Sequence, residues 1–272
     1  MNPLLQVAIT AALKAGEEIL RIYNDPASDF EIEKKSDHSP LTIADRKSNE
    51  VIMEYLNRTP YPVISEENKT IDYQERRTWS TVWIVDPLDG TKEFIKKNGE
   101  FTVNIALVYE GKPVLGVIYI PVQKTLYYGT FRAGAYKMNP IEYKPEIDWE
   151  SLEKQALSLP VKRQNTSCIV VASRSHMSEE TENFIADLRK EHPDVQLTSI
   201  GSSIKICLVA EGTADFYPRF APTMEWDTAA GHAIARAAGK EMYHDDGKTP
   251  LTYNKEDLLN PWFIVKGEEK KK

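Results

Sequence analysis

The chain has 272 residues, of which 41% are hydrophobic and 28% are charged, the balance of an ordinary globular protein. Its net charge of -7 argues against nonspecific binding to nucleic acid or to an anionic membrane surface. An anionic substrate would therefore need local cations or metal ions to hold it. No segment resembles a transmembrane span, and Cys168 and Cys207 both lie in apolar runs. These features predict buried, reduced thiols and a cytoplasmic protein.

The first half of the chain predicts helices beside an antiparallel sheet. Apolar residues at helical spacing indicate an amphipathic helix over residues 1–23 rather than a secretion signal. Thr42 and Asp45 predict the capping box of a second helix. The segments YPVISEE and TVWIVD predict strands that lead into acids, and four more strands follow as FTVNIALVY, PVLGVIYIP, TLYYGTF and RAGAYK. The pattern is that of an α+β fold.

The second half alternates between strand and helix, which predicts a smaller α/β unit with a mostly parallel or mixed sheet. The expected strands are CIVVAS, VQLTSI, ADFYPR, EMYH and WFIV, and the expected helices are EETENFIADLRKEH, SSIKICLVAEG and WDTAAGHAIARAAG. The pattern weakens over residues 142–163. We therefore predict an N-terminal domain over residues 1–150 and a C-terminal domain over residues 151–272, with a cleft between them.

Acidic residues recur beside apolar segments. They are Glu66 with Glu67, Asp86, Asp89 and Asp227. Each has a structural interpretation when taken alone: Asp89 with Gly90 as a turn, Asp227 as a helix cap, the glutamates as an exposed loop. Asp45 could likewise only cap its helix. Taken together, they predict a site where carboxylates converge.

Asp86 and Asp89 are expected to follow a strand, with Pro87 stiffening the link between them. Their mutual repulsion requires a cation, and ligands that offer only oxygen select hard ions such as Mg²⁺. The segment DPLDGTKEFIKK lacks the acids of an EF-hand, and no P-loop pattern occurs. Gly90 permits close approach of the backbone to a phosphate, and the Thr91 hydroxyl can orient a water. The combination predicts metal-assisted phosphate hydrolysis.

Three motifs then carry a resemblance over nearly the whole chain. They are SEE at 65–67, DPLDGT at 86–91 and EWDTAAG at 225–231. The chain resembles the inositol monophosphatase superfamily of Mg²⁺-dependent, Li⁺-sensitive phosphatases, whose fold is a layered αβαβα sandwich. The segments KEFIKKNGEFTVNIALVY, SRSH, GSSIK and YPR are similar to its 3'(2'),5'-bisphosphate nucleotidase branch of the CysQ type. That resemblance implies hydrolysis of adenosine 3',5'-bisphosphate to AMP and phosphate, with 3'-phosphoadenylyl sulfate as a further candidate substrate.

The resemblance also implies two or three Mg²⁺ ions per site. Glu66, Asp86 and the carbonyl of Leu88 would hold one ion. Asp86, Asp89 and Asp227 would hold a second, so that Asp86 bridges the two. The ions would stabilise the attacking and leaving oxygens of an in-line displacement.

Other site residues follow from the same resemblance. Asp45 and Thr91 would activate the attacking water as a pair. Glu67 would act from behind the metal ligands and could help to place a third, weaker ion.

The nucleotide would be held by polar and cationic side chains of the second half. The resemblance assigns this role to Ser202, Lys205, His176 and Arg219. An arginine fork matches phosphate oxygens, and a second phosphate needs cations in an acidic protein. A solvated helix face is the alternative for Lys205, and an ordinary surface histidine is the alternative for His176.

Several alternatives stay open at this point. Lys34 or Lys35 could approach the scissile phosphate or lie exposed in its loop. The protein could be an inositol or sugar monophosphatase with the same metal core, or a nucleotide sensor without catalysis. It could also associate peripherally with the inner face of the membrane. The expected partner is a small nucleotide bisphosphate and not a nucleic acid, and the sequence leaves the oligomeric state open.

Overall fold

The computed structural model describes residues 1–30, 32–34, 40–164, 167–172 and 178–267, which form eight helices and fourteen strands. The helices are α1 (Pro3–Tyr23), α2 (Ile43–Leu56), α3 (Tyr73–Arg76), α4 (Thr91–Ile95), α5 (Trp149–Gln155), α6 (Glu179–Glu191), α7 (Ile204–Glu211) and α8 (Glu225–Ala237). The strands are β1 (Glu33–Lys34), β2 (Pro40–Leu41), β3 (Val63–Ser65), β4 (Thr81–Asp89), β5 (Thr102–Tyr109), β6 (Lys112–Ile120), β7 (Thr125–Thr130), β8 (Gly134–Met138), β9 (Leu157–Leu159), β10 (Cys168–Ala172), β11 (Val195–Ser199), β12 (Phe216–Arg219), β13 (Lys240–His244) and β14 (Phe263–Gly267).

Two sheets organise these elements. The first has seven strands, β3 to β9, which are neighbours in chain order. Only its β3–β4 pair is parallel, and the pairs from β4 to β9 form an antiparallel meander, of which the sequence predicts strands β5 to β8. The second has the order β11-β10-β12-β14-β13 and mixes parallel with antiparallel pairs. A short antiparallel pair, β1–β2, stands apart from both.

The helices cover the sheets in layers. Helices α1 and α2 pack on one face of the seven-stranded sheet, and α8 packs on its other face. Helices α7 and α8 also contact the five-stranded sheet and therefore lie between the two sheets. Helix α6 packs on the outer face of the five-stranded sheet. The order of layers is αβαβα, which confirms the fold class expected from the sequence.

Strand β5 shows how the layers are specified. Its alternate residues Val103, Ile105 and Leu107 belong to the core beneath α1, whereas Ala106 and Val108 belong to the core beneath α7 and α8. Alternation along a strand therefore places Asn104 on the face toward α7 and α8. A polar residue at this position interrupts an otherwise apolar layer, and it lies at the end of the sheet where the acidic residues gather.

The predicted division at residue 150 stays a prediction. Strand β9, which comes after that residue, is paired with β8 and extends the first sheet to Leu159. Helix α8 packs on the same sheet. Both cysteines are free and buried, as the sequence predicts. Within the described ranges, no helix combines the length and the apolar character needed to cross a membrane.

Candidate active site

A β-bulge at the end of β4 brings the first two aspartates together. Asp86 is opposite Asn104 and Asp89 is opposite Thr102, so two residues of β4 face a single residue of β5. In a regular strand, residues three apart point to opposite faces, but the extra residue restores one common face. Pro87 fits this position because a bulge does not require its missing N–H group. The expectation that both aspartates follow the strand was wrong: β4 continues through Asp89.

Two further acids reach this face from neighbouring elements. Asp227 is the third residue of α8, and its Oδ2 accepts a hydrogen bond from the backbone N–H of Met224 at 2.8 Å. This bond caps the helix and uses one oxygen of the carboxylate. Glu66 follows β3, whose parallel pairing with β4 places its N–H 3.2 Å from the carbonyl oxygen of Val85. One carboxylate oxygen from each of Asp86, Asp89 and Asp227 lies within 4.8 Å of the others.

The proximity of these carboxylates changes their proton affinity. Burial, with added repulsion from Glu66, Asp89 and Asp227, raises the pKa of Asp86 well above its ordinary value. Burial and the charges of Asp89 and Glu66 raise the pKa of Asp227 to about 8. Burial also raises the pKa of Asp89, to about 6, against the opposing effect of Lys205. In the protein alone, the cluster therefore holds negative charge at a free-energy cost that a cation would offset.

A second pair, Asp45 and Thr91, lies beside the bulge. Asp45 is the third residue of α2, and its Oδ2 accepts from the backbone N–H of Thr42 at 2.7 Å, which completes the predicted capping box. Its other oxygen, Oδ1, accepts from the Thr91 hydroxyl at 3.0 Å. The Thr91 hydroxyl also lies 3.4 Å from the carbonyl oxygen of Leu88. The cap therefore orients the carboxylate, and its Oδ1 in turn orients the Thr91 hydroxyl.

Gly90 connects the bulge to α4. Its φ of 93° lies in the left-handed region that side chains disfavour. An added Cβ would also lie 3.1 Å from the carbonyl oxygen of Glu100 and 3.3 Å from the Cβ of Ser202. Both constraints favour glycine, because a residue without a side chain lets the turn after Asp89 pack close to the chain before α7.

A cavity of about 470 Å³ opens beside this turn, within the ~300–1,000 Å³ typical of small-molecule sites. Its lining joins the two halves of the chain. Asp89 and Gly90 come from the first half of the chain. The second half contributes, among others, Ser202, Ser203, Lys205, Tyr217, Arg219, Asp227 and Thr228. Six of the residues expected to bind metal or substrate therefore line this cavity: Asp89, Gly90, Asp227, Ser202, Lys205 and Arg219.

The lining of the cavity carries both signs of charge, and we call Asp89 with Asp227 its acidic end and Lys205 with Arg219 its basic end. Lys205 is only 6% exposed, its Nζ donates to the carbonyl of Ile200 at 3.1 Å, and it lies 5.7 Å from the ring centre of Tyr217. Burial lowers the pKa of Lys205 to about 8, although the charge of Asp89 opposes this change. The expectation of a solvated helix face does not apply to it. The guanidinium of Arg219 donates from Nη2 to the carbonyl of Pro222 at 3.2 Å.

Two buried polar atoms at the basic end are available to a ligand. The Nε of Arg219 and the hydroxyl of Ser202 are both buried, and neither has a hydrogen-bond partner within the described part of the chain. Buried polar groups are normally satisfied, so such atoms indicate the position of a ligand.

Glu67 does not line this cavity. The N–H of Glu67 donates to the Ser65 hydroxyl at 3.4 Å and continues the turn after β3. His176 and Lys35 lie outside the described residues, and Lys34 is described only as part of the backbone of β1.

Three residues at the site were not anticipated. Asn104 and Ser203 bond to each other behind Asp89, and Tyr217 lies under Lys205. The signal for Asn104 was present in the segment FTVNIALVY, where one amide interrupts an apolar strand. Both serines of GSSIK line the cavity, and the sequence gave no indication that the Ser203 hydroxyl bonds to Asn104.

The donor set fits a hard divalent cation. Three aspartates from two different elements present oxygen atoms at short mutual distances, and Glu66 adds its charge to each of them. Carboxylate oxygens are the preferred ligands of Mg²⁺ and ions like it.

The layered sandwich places its carboxylate cluster where the end of β4 meets the start of α8, an arrangement that suits a metal-dependent phosphatase. A family model described as the inositol monophosphatase family matches residues 1–270, and the chain belongs to this family. This confirms the superfamily that the three sequence motifs indicate.

Individual relatives match along almost their whole length. A Salmonella typhimurium protein named 3'(2'),5'-bisphosphate nucleotidase CysQ is 47% identical over 264 residues, which cover 96% of this chain and 99% of that protein. A protein of the same name from Escherichia coli strain K12 is 46% identical over 257 residues, with 93% and 96% covered. The crystal structure of CysQ from Bacteroides thetaiotaomicron is 60% identical, has a TM-score of 0.91, and is matched over 98% of this chain and 97% of that one.

Proposed function

We propose that this protein is a Mg²⁺-dependent phosphatase that hydrolyses adenosine 3',5'-bisphosphate to AMP and phosphate, and that it also accepts 3'-phosphoadenylyl sulfate. The observation that carries the proposal is the polarity of the cavity. Two acids, Asp89 and Asp227, and two cations, Lys205 and Arg219, line the same cavity. A substrate with two phosphates would use both ends, whereas a monophosphate would leave Lys205 and Arg219 without an anionic ligand. The names of the similar proteins support the same substrate.

We assign two or three Mg²⁺ ions to the acidic end. Glu66, Asp86 and the carbonyl of Leu88 would hold one, and Asp86, Asp89 and Asp227 would hold another. When bound, such ions supply positive charge that stabilises the attacking and leaving oxygens. The chain's part is to hold the carboxylates in place, and it does this with the bulge in β4 and with the cap of α8.

Asp45 and Thr91 would prepare the attacking water. Because the Thr91 hydroxyl points its proton at Asp45 Oδ1, its lone pairs can accept a hydrogen bond from a water bound beside it. As the water attacks, its proton would pass to Thr91 Oγ1 while the hydroxyl proton passes to Asp45 Oδ1. Such positioned proton transfer contributes roughly 10²- to 10⁴-fold to a rate.

The basic end would hold the phosphate that is not cleaved. Lys205 would act as a point charge, Arg219 would offer its unsatisfied Nε, and Ser202 would donate its unpaired hydroxyl. The remote binding energy orients the ester bond over the metal ligands, which raises the rate by positioning.

The experiment is a phosphate-release assay with purified protein, Mg²⁺ and four substrates. They are adenosine 3',5'-bisphosphate, 3'-phosphoadenylyl sulfate, inositol 1-phosphate and fructose 1,6-bisphosphate. We expect the adenosine bisphosphate to have the highest kcat/KM, and we expect added Li⁺ to inhibit its turnover. Preference for either sugar phosphate would refute the proposed substrate. Tight binding of the adenosine bisphosphate without phosphate release at saturating Mg²⁺ would instead indicate a nucleotide sensor.

A further inference from the structure

Residues 201–203 form a turn that packs directly on the bulge. The N–H of Gly201 donates to Glu100 Oε2 at 2.8 Å, and an added Cβ at Gly201 would lie only 2.8 Å from the carbonyl oxygen of Glu100. The next residue, Ser202, adopts a φ of 49°. A side-chain residue is strained in this left-handed region, so the surrounding contacts hold the turn in one conformation.

Ser203 connects this turn to the acidic cluster. Its backbone N–H donates to Asp89 Oδ2 at 2.6 Å, a short bond to a charged acceptor. Its hydroxyl donates to Asn104 Oδ1 at 2.9 Å and lies 2.8 Å from the hydroxyl of Thr102. Ser203, Thr102 and Asn104 are each at most 3% exposed. Asp89 is therefore held by a buried polar network that has little freedom to rearrange.

The Nδ2 of Asn104 is buried and forms no hydrogen bond of regular geometry within the described ranges, although the amide lies close enough to Asp89 to stabilise its charged form. Asn104 is opposite Asp86 in the β4–β5 ladder, and it shares Ser203 with Asp89. The spare N–H groups of this amide therefore lie beside two of the three clustered aspartates. Its oxygen is occupied by Ser203, which fixes the orientation of the amide.

The two serines of the turn face different partners. Both serines line the cavity, but the Ser202 hydroxyl has no hydrogen-bond partner among the described residues, whereas the Ser203 hydroxyl is directed into the buried network. Of these two adjacent residues, Ser202 therefore offers its hydroxyl to the cavity, and Ser203 supports the carboxylate of Asp89. Lys205, two residues further on in the first turn of α7, lines the same cavity.

We infer that Ser203 and Asn104 are positioning residues for Asp89: Ser203 anchors the carboxylate through its N–H and anchors Asn104 through its hydroxyl, so that Asp89 keeps the orientation in which it can hold a cation. Ligands whose outer partners are fixed bind metal more tightly, because less order must be imposed at the moment of binding. The Ser202 hydroxyl has no part in this support. Its role in holding substrate rests on the proposed function, whereas the role of Ser203 does not.

The test is to measure Mg²⁺ binding by calorimetry in the absence of substrate. Ser203→Ala removes the hydroxyl that fixes Asn104, and we expect it to weaken Mg²⁺ binding by roughly 10-fold or more, the usual effect of losing a partner behind a metal ligand. Ser203→Thr keeps the hydroxyl, and we expect it to restore most of the affinity. Asn104→Ala should weaken Mg²⁺ binding to a similar degree. The exposed strand residue Ser158 provides the control, because Ser158→Ala should leave the isotherm unchanged.

Ser202→Ala is the matched variant within the turn. We expect it to keep the wild-type affinity for Mg²⁺ and to raise KM for adenosine 3',5'-bisphosphate. Wild-type Mg²⁺ affinity in both Ser203→Ala and Asn104→Ala would overturn the inference. So would an equal loss in Ser202→Ala, or a loss in Ser203→Ala that Ser203→Thr does not restore, since either would indicate general packing.

Thermal unfolding of each variant without metal shows whether it is folded. If Ser203→Ala does not fold, the comparison of Asn104→Ala with Ser158→Ala decides. An error in the proposed substrate would appear as poor turnover by the wild-type protein while the order of the Mg²⁺ isotherms stayed the same. The two failures can therefore be told apart.

Discussion

The two ends of the cavity are built in different ways. At the acidic end, Asp89 accepts a backbone N–H bond at 2.6 Å and Asp227 accepts one at 2.8 Å, and a bulge directs Asp86 to the same point. At the basic end, the Nε of Arg219 and the hydroxyl of Ser202 are buried without partners within the described part of the chain. Backbone hydrogen bonds fix the carboxylates of the acidic end, whereas the basic end has hydrogen-bond donors available for a ligand.

This difference indicates which end of the cavity supports the reaction and which end recognises the substrate. Backbone-braced carboxylates suit chemistry that depends on fixed charges, because a preorganised site does not have to reorganise during the reaction. Reserved donors suit recognition, because their bonds form only when the right ligand enters. The family's reaction would therefore depend on the acidic end, and the choice of substrate on the basic end.

The largest expected effect falls on the acidic end. Asp89→Asn removes one charge from the cluster while keeping nearly the same shape, and we expect kcat/KM to fall by roughly 10²-fold or more. Steady-state phosphate release measures this. The matched control is Asp187→Asn, because Asp187 is an exposed residue of α6 that pairs only with Lys190 in the described structure. A near-normal rate in Asp89→Asn would reduce Asp89 to a turn residue.

The water site should give the next largest effect. Thr91→Ala removes the hydroxyl that bonds to Asp45, and we expect kcat to fall by about 10²-fold, the lower part of the range for positioned proton transfer. Thr91→Ser keeps the hydroxyl and should retain most of the rate. The comparison is made at saturating substrate and Mg²⁺. Equal rates for the two variants would show that the hydroxyl does not act on the water.

A smaller effect, on KM rather than on kcat, is expected at the basic end. Arg219→Ala should raise KM for adenosine 3',5'-bisphosphate by roughly 10-fold, the equivalent of one charge-assisted hydrogen bond. Arg219→Lys should recover only part of this, because an ammonium cannot replace the fork. Arg189→Ala, in the exposed face of α6, is the control. If Arg219→Ala weakens Mg²⁺ binding instead, the assignment of metal binding to the acidic end and of substrate recognition to the basic end is wrong.

The smallest expected effect concerns stability without substrate. Mg²⁺ at ten times its dissociation constant should raise the free energy of unfolding by about 1.4 kcal/mol, because it binds only the folded cluster. Chelation should reverse the change. In Asp89→Asn the increase should be much smaller, while in Arg219→Ala it should equal that of the wild type. Thermal unfolding with and without Mg²⁺ measures these changes. An increase in Asp89→Asn equal to that of the wild type would contradict the assignment of the aspartate cluster to Mg²⁺.

The sequence predicted the long elements well, because their apolar periods are set by the faces they bury. It failed at β4, where DPLD was expected to follow the strand, because a bulge leaves no signal in an apolar pattern. The short helices α3, α4 and α5 and strand β9 were also missed, since so few residues carry little periodicity.

The candidate site shows a different kind of limit. Helix capping and catalysis were treated as alternatives for Asp45 and Asp227, yet both residues cap a helix with one oxygen. A carboxylate has two oxygens, and Asp45 uses the second for Thr91. The support that Ser203 and Asn104 give to Asp89 depends on two distant segments meeting, which local sequence patterns do not report.

The most direct test of the account is the identity of the product. Phosphorus NMR of adenosine 3',5'-bisphosphate incubated with the protein and Mg²⁺ distinguishes loss of the 3'-phosphate from loss of the 5'-phosphate. The account predicts 5'-AMP and inorganic phosphate from the wild-type protein, and an almost unchanged spectrum from Asp89→Asn. An intact bisphosphate with the wild-type protein, or full conversion by Asp89→Asn, would contradict it.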